Sequence, residues 1–139
     1  MTYQIWWEEN LGAEPVADAA TLADILDPTQ AGFAMHGARA FAYFIAPEED
    51  ADAVLRIDLD HDRDRAAIRW LPDATHGIEP HADSQPVEPI EVWEAYQGIV
   101  TIPAKILTVS ATMARRAAAE YVTTGQRPAS LTWTAGTTA

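Results

Sequence analysis

Four aspartates alternate with other residues in the run Asp58-Leu59-Asp60-His61-Asp62-Arg63-Asp64. A calcium loop supplies hard oxygen ligands at its first, third and fifth positions in this manner. The rest of that pattern is missing. No glycine follows at the turn, no glutamate stands at the twelfth position, and Arg63 and Arg65 offset the charge. The run therefore reads as a solvated hairpin connection. His76 and His81 flank Glu79, and zinc can use such donors, but it takes them from a stiff helix or strand. Pro80 denies the two imidazoles a fixed spacing. His36, beside Gly37, reads as a turn residue. Neither a metal nor another cofactor is expected.

Nucleophilic chemistry has little to draw on. The chain has no cysteine, so neither a thiolate nor a disulfide is available. Its serines are Ser84, Ser110 and Ser130, and none stands in a Gly-x-Ser-x-Gly elbow. There is no glycine-rich phosphate loop. Carboxylates are plentiful, but acid–base work needs one of a pair held at a raised pKa in a pocket, and spacing singles out no such pair. The expectation is a protein that is not an enzyme.

Charge speaks instead to a partner. Asp and Glu number 21 against 9 Lys and Arg, for a net charge of −12. A nucleic-acid binder needs a basic footprint, so direct binding of DNA or RNA is not expected. Residues 1–38 hold six carboxylates and no Lys or Arg, and residues 70–104 repeat that balance with Asp73, Glu79, Asp83, Glu88, Glu91 and Glu94. Residues 105–139 run the other way, with four basic residues against Glu120. Such segregation can build a negative surface that steers a basic partner, or it can simply keep a small protein soluble.

The elements that must position these residues follow from periodicity. Tyr3, Ile5 and Trp7 alternate with Gln4, Trp6 and Glu8, a strand pattern, and Asn10-Leu11-Gly12 reads as a turn. Leu22, Ile25 and Leu26 fall at helical spacing; Asp18 or Thr21 could cap that helix, and Pro28 ends it. Residues 31–40 are ambiguous. Phe41–Ala46, Val54–Leu59 and Ala66–Leu71 read as an antiparallel meander because their links are short. Residues 72–87, with three prolines, read as a long surface loop. Pro89–Tyr96 is a further strand, turned at Gln97-Gly98, with Ile99–Ile102 pairing back.

The clearest element is the last helix, spanning 109–124. Ala114, Ala117, Ala118, Tyr121 and Val122 form one apolar stripe, Ser110 sits where a cap belongs, and Gly125 and Pro128 end the helix. A short strand, Ala129–Thr134, follows, with Leu131 and Trp133 inward. Of the five tryptophans, Trp6 and Trp7 must face opposite sides of their strand; one of them is the more exposed if helices cover only one face. An exposed Trp near carboxylates suits an interface.

The order strand, helix, strands, helix, strand predicts an α+β fold: a mainly antiparallel sheet of about five to seven strands with two helices. The length of 139 residues suits one domain over 1–139. No apolar run approaches the ~20 residues of a membrane span, and the opening MTYQIWWEEN has neither a basic stretch nor an apolar core. A cytoplasmic protein without a membrane partner is the expectation.

The C-terminal segment carries a more specific pattern. Ile102-Pro103, Val109-Ser110, the Ala-rich helix, Glu120-Tyr121, Thr124-Gly125, Pro128 and Trp133 resemble the immunity proteins of bacterial polymorphic toxin systems. The likeness is to the first-numbered immunity family, often encoded beside deaminase-fold toxins. It covers about the last 35 residues, whose glycine, proline and tryptophan each have a structural cause. The resemblance implies a non-enzymatic inhibitor that binds a cognate toxin in the producing cell and occludes its active site. A nucleic-acid deaminase is the implied toxin and a nuclease the alternative; a small acidic ligand-binding or enzymatic domain is the rival from another class. An acidic protein can fill the groove in which such a toxin holds its nucleic acid. Asp60, Asp62, Asp73, Glu79, Asp83 and Glu88 are the expected toxin contacts, because they lie in irregular, carboxylate-rich segments.

Overall fold

A computed structural model describes residues 2–7, 10–27, 40–61, 63–80, 87–94 and 98–135. Its strands are β1 (Tyr3–Trp7), β2 (Asn10–Val16), β3 (Phe41–Ala46), β4 (Leu55–Asp60), β5 (Arg65–Trp70), β6 (Thr75–Ile78), β7 (Ile90–Glu94), β8 (Gly98–Ile102) and β9 (Thr132–Ala135). Its helices are α1 (Ala19–Leu26) and α2 (Ala111–Thr124), with a 3-10 turn at Ala104–Ile106. Seven strands form one antiparallel sheet in the order β2-β1-β3-β4-β5-β6-β9; β7 and β8 pair apart as a hairpin. The α+β class and the antiparallel meander of β3, β4 and β5 agree with the sequence.

Alternation along the strands builds two cores. Tyr3, Ile5, Tyr43, Ile45, Leu55, Ile57, Leu59 and Ile68 face the helices. They meet Leu22 and Leu26 of α1 and Ala114, Ala117, Ala118 and Tyr121 of α2. The three alanines bring the α2 backbone close to β4 and β5, while Tyr121 fills the space beyond them. The opposite face carries a smaller core, in which Ala40, Ala42 and Ala67 lie beneath Ile90, Val92, Ile102 and Leu107. The layers are thus helices, large sheet and hairpin.

Helix ends follow local chemistry. The Asp18 carboxylate accepts from Thr21 N–H at 2.8 Å, so Asp18 is the cap of α1 and Thr21 lies within the helix. That bond holds the Asp18 carboxyl below its ordinary pKa. At the far end of α2, Gly125 adopts φ 73° and donates to the Tyr121 carbonyl. A side chain there would be strained, and its Cβ would lie 3.3 Å from the Tyr3 hydroxyl.

Three expectations are corrected. Asn10-Leu11-Gly12 is not a turn but the start of β2, paired from Asn10 opposite Trp7. The 72–87 segment is not all loop: its Thr75–Ile78 portion is β6, stitched between β5 and β9. Gly77 permits this, since it faces Leu131 and Ile68 where a larger residue would not fit. Trp133 is half-buried rather than deep in the core, because β9 is an edge strand. The limits of several elements also shift by one to three residues: Val54 precedes β4, Leu71 follows β5, the second helix begins at Ala111, and the last strand runs over Thr132–Ala135 rather than from Ala129. Pro28, residues 31–39 with His36, His81, Ser84, and Tyr96 and Gln97 of the expected β7–β8 connection lie outside the described residues.

Candidate functional site

The alternating aspartates have separate structural tasks. Because β4 alternates, Leu55, Ile57 and Leu59 face the helices while Arg56, Asp58 and Asp60 face the hairpin side. Asp58 is fully buried. It accepts from Arg56 Nε at 3.1 Å and Nη2 at 2.9 Å, and from Arg69 Nη2 at 2.7 Å. Asp60 is 1% exposed, accepts from Arg63 N–H at 3.1 Å, and lies 3.7 Å from the Arg63 guanidinium. The reading of this run as wholly solvated is therefore corrected: two of its carboxylates are inside, each answered by arginine.

Asp64 and Glu79 converge on the start of α2. Asp64, at φ 53°, turns its carboxylate to accept from Ala111 N–H at 3.0 Å. Ser110 Oγ accepts from Met113 N–H and donates to Glu79 Oε1 at 2.9 Å. Thr108 donates to the Gly77 carbonyl at 2.6 Å, tying the same segment to β6. Two carboxylates from two loops thus meet the positive end of the helix, where free N–H groups favour anions.

The expected toxin contacts are accordingly not alike. Asp60 is buried, and Asp62 and Asp83 lie outside the described residues. Glu79 is engaged by Ser110. Asp73 is exposed, accepts from Thr75 Oγ1 at 2.6 Å and pairs with Arg127 at 3.1 Å. The Thr75 hydroxyl, and to a lesser degree Arg127, hold its carboxyl below the ordinary value. Glu88 is the most open, its side chain 83% exposed and 3.6 Å from Arg63. A shallow cleft of about 460 Å³ adds Glu48, Glu49 and Asp50 beside Trp6. Among the described residues, no three His, Asp or Glu side chains group so as to hold a metal.

The C-terminal pattern turns out to be architectural. Glu120 accepts from Ala129 N–H and so ties α2 to the chain entering β9. The Tyr121 ring meets Tyr3 at 5.2 Å and Trp70 at 5.4 Å, both edge-on. Burial, and then Tyr3, push its hydroxyl up to about 12. Trp133 packs on Trp70, donates from Nε1 to the Pro128 carbonyl at 2.7 Å, and lies under Arg127. The family model of immunity protein Imm1 matches residues 11–135, nearly the whole chain. The chain belongs to the Imm1 immunity proteins. No curated protein matches it. As an Imm1 protein it has a cognate toxin as its partner.

Sequence reasoning missed the Arg56–Asp58–Arg69 network on the hairpin side of this Imm1 sheet. The signal was present, since Arg56 and Asp58 share a strand face, but Arg69 joins them only through the β4–β5 register, which sets Arg56 opposite Arg69. Trp6 and Trp7 do face opposite sides. Trp7 packs on the helix-side core, and Trp6 stacks on Phe44 at 5.8 Å with an interplanar angle of 8°.

Proposed function

We propose that this Imm1 protein neutralises a nucleic-acid deaminase toxin by binding one-to-one and occluding its active site, without catalysis of its own. Membership of the immunity family carries the reading. The net charge of −12 supports the choice of toxin, because a deaminase holding a polyanion presents basic groups that an acidic protein can cover. Asp73, Asp83 and Glu88 contribute from the 72–94 segment and Asp62 from the 58–64 connection, while Glu79 is engaged at the helix cap. Asp60, being buried, acts only by holding the hairpin turn. The protein acts in the cytoplasm of the cell that makes the toxin.

The test is co-expression with the toxin domain encoded by the neighbouring gene. Cells survive with this chain present, and sequencing of nucleic acid from cells lacking it shows base conversions. Strand breaks instead of base conversions would identify a nuclease. Killing undiminished by the chain would refute the immunity reading for that pair.

A further inference from the structure

Trp6 belongs to neither core. Trp7, Trp70 and Trp133 pack on the helix-side core and Phe44 on the hairpin-side one, whereas Trp6 is half-buried and held by its stack on Phe44. Alternation puts Gln4 and Trp6 of β1 on the face away from the helices, and the register sets Gln4 opposite Ala46, the last residue of β3. The chain leaving β3 therefore turns beside them. In that turn Ala51 N–H donates to the Glu48 carbonyl at 3.3 Å, and Asp50 takes φ 64°. Gln4, Trp6 and Ala13, together with Glu48, Glu49, Asp50 and Ala51, line the cleft of about 460 Å³.

The carboxylates of this turn differ from the paired ones described above. Asp58 is answered by Arg56 and Arg69, Asp60 and Glu88 by Arg63, and Asp73 by Arg127. Glu48, Glu49, Asp50 and Asp52 are all exposed, and among the described residues none of their side chains meets a cation or a hydrogen-bond donor. Like charges so close in the chain repel one another, and a cation placed among them removes that cost. They do not converge on a point, since among the described residues no three acidic side chains group so as to hold a metal ion. Spread negative charge beside an indole ring suits a planar, extended cation instead. A guanidinium offers carboxylates several N–H groups in a fork and lies well against tryptophan, which is itself among the residue types that dominate interface energies.

We infer that this uncovered end of the sheet is a docking site for an arginine side chain of the toxin, its guanidinium against the Trp6 ring and answered by Glu48, Glu49 and Asp50. The inference rests on the immunity reading and deepens it, because it names a toxin group and the place that receives it. A toxin that holds a polyanion does so with basic side chains, and an arginine taken into this cleft is withdrawn from the phosphates of its substrate. The aromatic wall adds what loose acidic segments lack: a fixed, partly desolvated surface on which a charge pair gains strength.

The probe is the neighbouring gene's toxin domain, inactivated in its active site, with Kd measured by calorimetry against the full chain. Glu48→Gln with Glu49→Gln weakens binding by about tenfold and flattens its dependence on salt. Trp6→Ser, which keeps every charge, also weakens it by about tenfold, whereas Trp6→Phe, which keeps an aromatic face, stays within about threefold. Asp24→Asn with Glu91→Gln removes two exposed charges elsewhere, on α1 and β7, and leaves Kd within about twofold. Thermal melts of each variant identify any loss that is only unfolding, and the exposed Glu48 and Glu49 decide the matter if Trp6→Ser does not fold. Unchanged binding by the folded Glu48→Gln, Glu49→Gln variant overturns the basic group as occupant. Unchanged binding by folded Trp6→Ser, or equal weakening by Ser and Phe at position 6, overturns the aromatic wall. Equal weakening by the two charge pairs overturns the cleft as the site, since net charge alone would then account for the loss. Tight binding of calcium by the free chain, abolished in Glu48→Gln, Glu49→Gln, overturns a protein side chain as the occupant. Failure of the parent chain itself to bind the toxin overturns the immunity reading for this pair, and the inference with it.

Discussion

Replacing Asp58 by Asn removes the charge at the centre of the sheet without changing the volume there. The carboxylate is fully buried and accepts four hydrogen bonds of 3.1 Å or less from two guanidiniums, the Arg56 Nε–H being shared between its two oxygens. Removing one partner of a buried ion pair typically costs about 3–5 kcal/mol, because the other charge is left uncompensated. Here the arginine side chains are 12% and 30% exposed, so water recovers part of the loss. The expected cost is therefore about 2–4 kcal/mol, a large share of the ~5–15 kcal/mol that a domain has. Urea denaturation reads it directly: the midpoint falls by about 1–2 M at an unchanged slope. A double-mutant cycle with Arg69→Gln then shows coupling above about 1 kcal/mol, as expected for groups in one network. A midpoint shift below about 0.3 M would refute the reasoning, since it would mean that the two guanidiniums lose nothing when their shared acceptor becomes neutral.

Gly77→Ala places a methyl 2.6 Å from Leu131 Cδ1 and 3.0 Å from Ile68 Cγ2, and is expected to lower stability by about 1–2 kcal/mol in a thermal melt. The Tyr121 hydroxyl is pushed up to about 12, so a spectrophotometric titration shows a tyrosine ionising there; the unfolded chain loses that proton first, and stability falls as pH rises above 10. His76 is held below its ordinary 6.5 by burial and then by the charge of Arg69. As pH falls below 6.5 the unfolded chain takes up the proton before the folded one, so stability is full above 6.5 and declines on acidification. Following His76 by NMR locates its titration, and His76→Gln flattens the decline.

Helices and inner strands were legible because periodicity reports them. The stripe of α2, its Ser110 cap and its Gly125 end follow from local rules, and all three stand in the structure. The β7–β8 hairpin and the β3–β5 meander were legible for the same reason. β6 was not, because its four residues are Thr-His-Gly-Ile, with neither alternation nor length. Its strand character comes from β5 and β9 on either side, and from a glycine that fits against Leu131. The run from Asp58 to Asp64 misled by its composition. A carboxylate count carries no information about which face of β4 each residue takes, or about which arginines the register brings opposite. Asp64 and Glu79 show the same limit, since the helix end they serve lies 47 and 31 residues away along the chain. The residues that carry the family likeness, from Glu120 to Trp133, proved to be fold determinants, so they identify the architecture more sharply than the surface that meets a toxin.

The most direct test of the account is a titration of toxin activity with this chain, using the neighbouring gene's toxin domain and a nucleic-acid substrate. Stoichiometric occlusion predicts a linear fall in activity to zero at one equivalent, with the same complex recovered intact by size and mass. It also predicts that substrate in large excess slows formation of the complex, because both compete for one groove. Inactivation by far less than one equivalent would show catalysis by this chain, and full toxin activity beside a stable complex would show binding away from the active site. Either result would contradict neutralisation by occlusion.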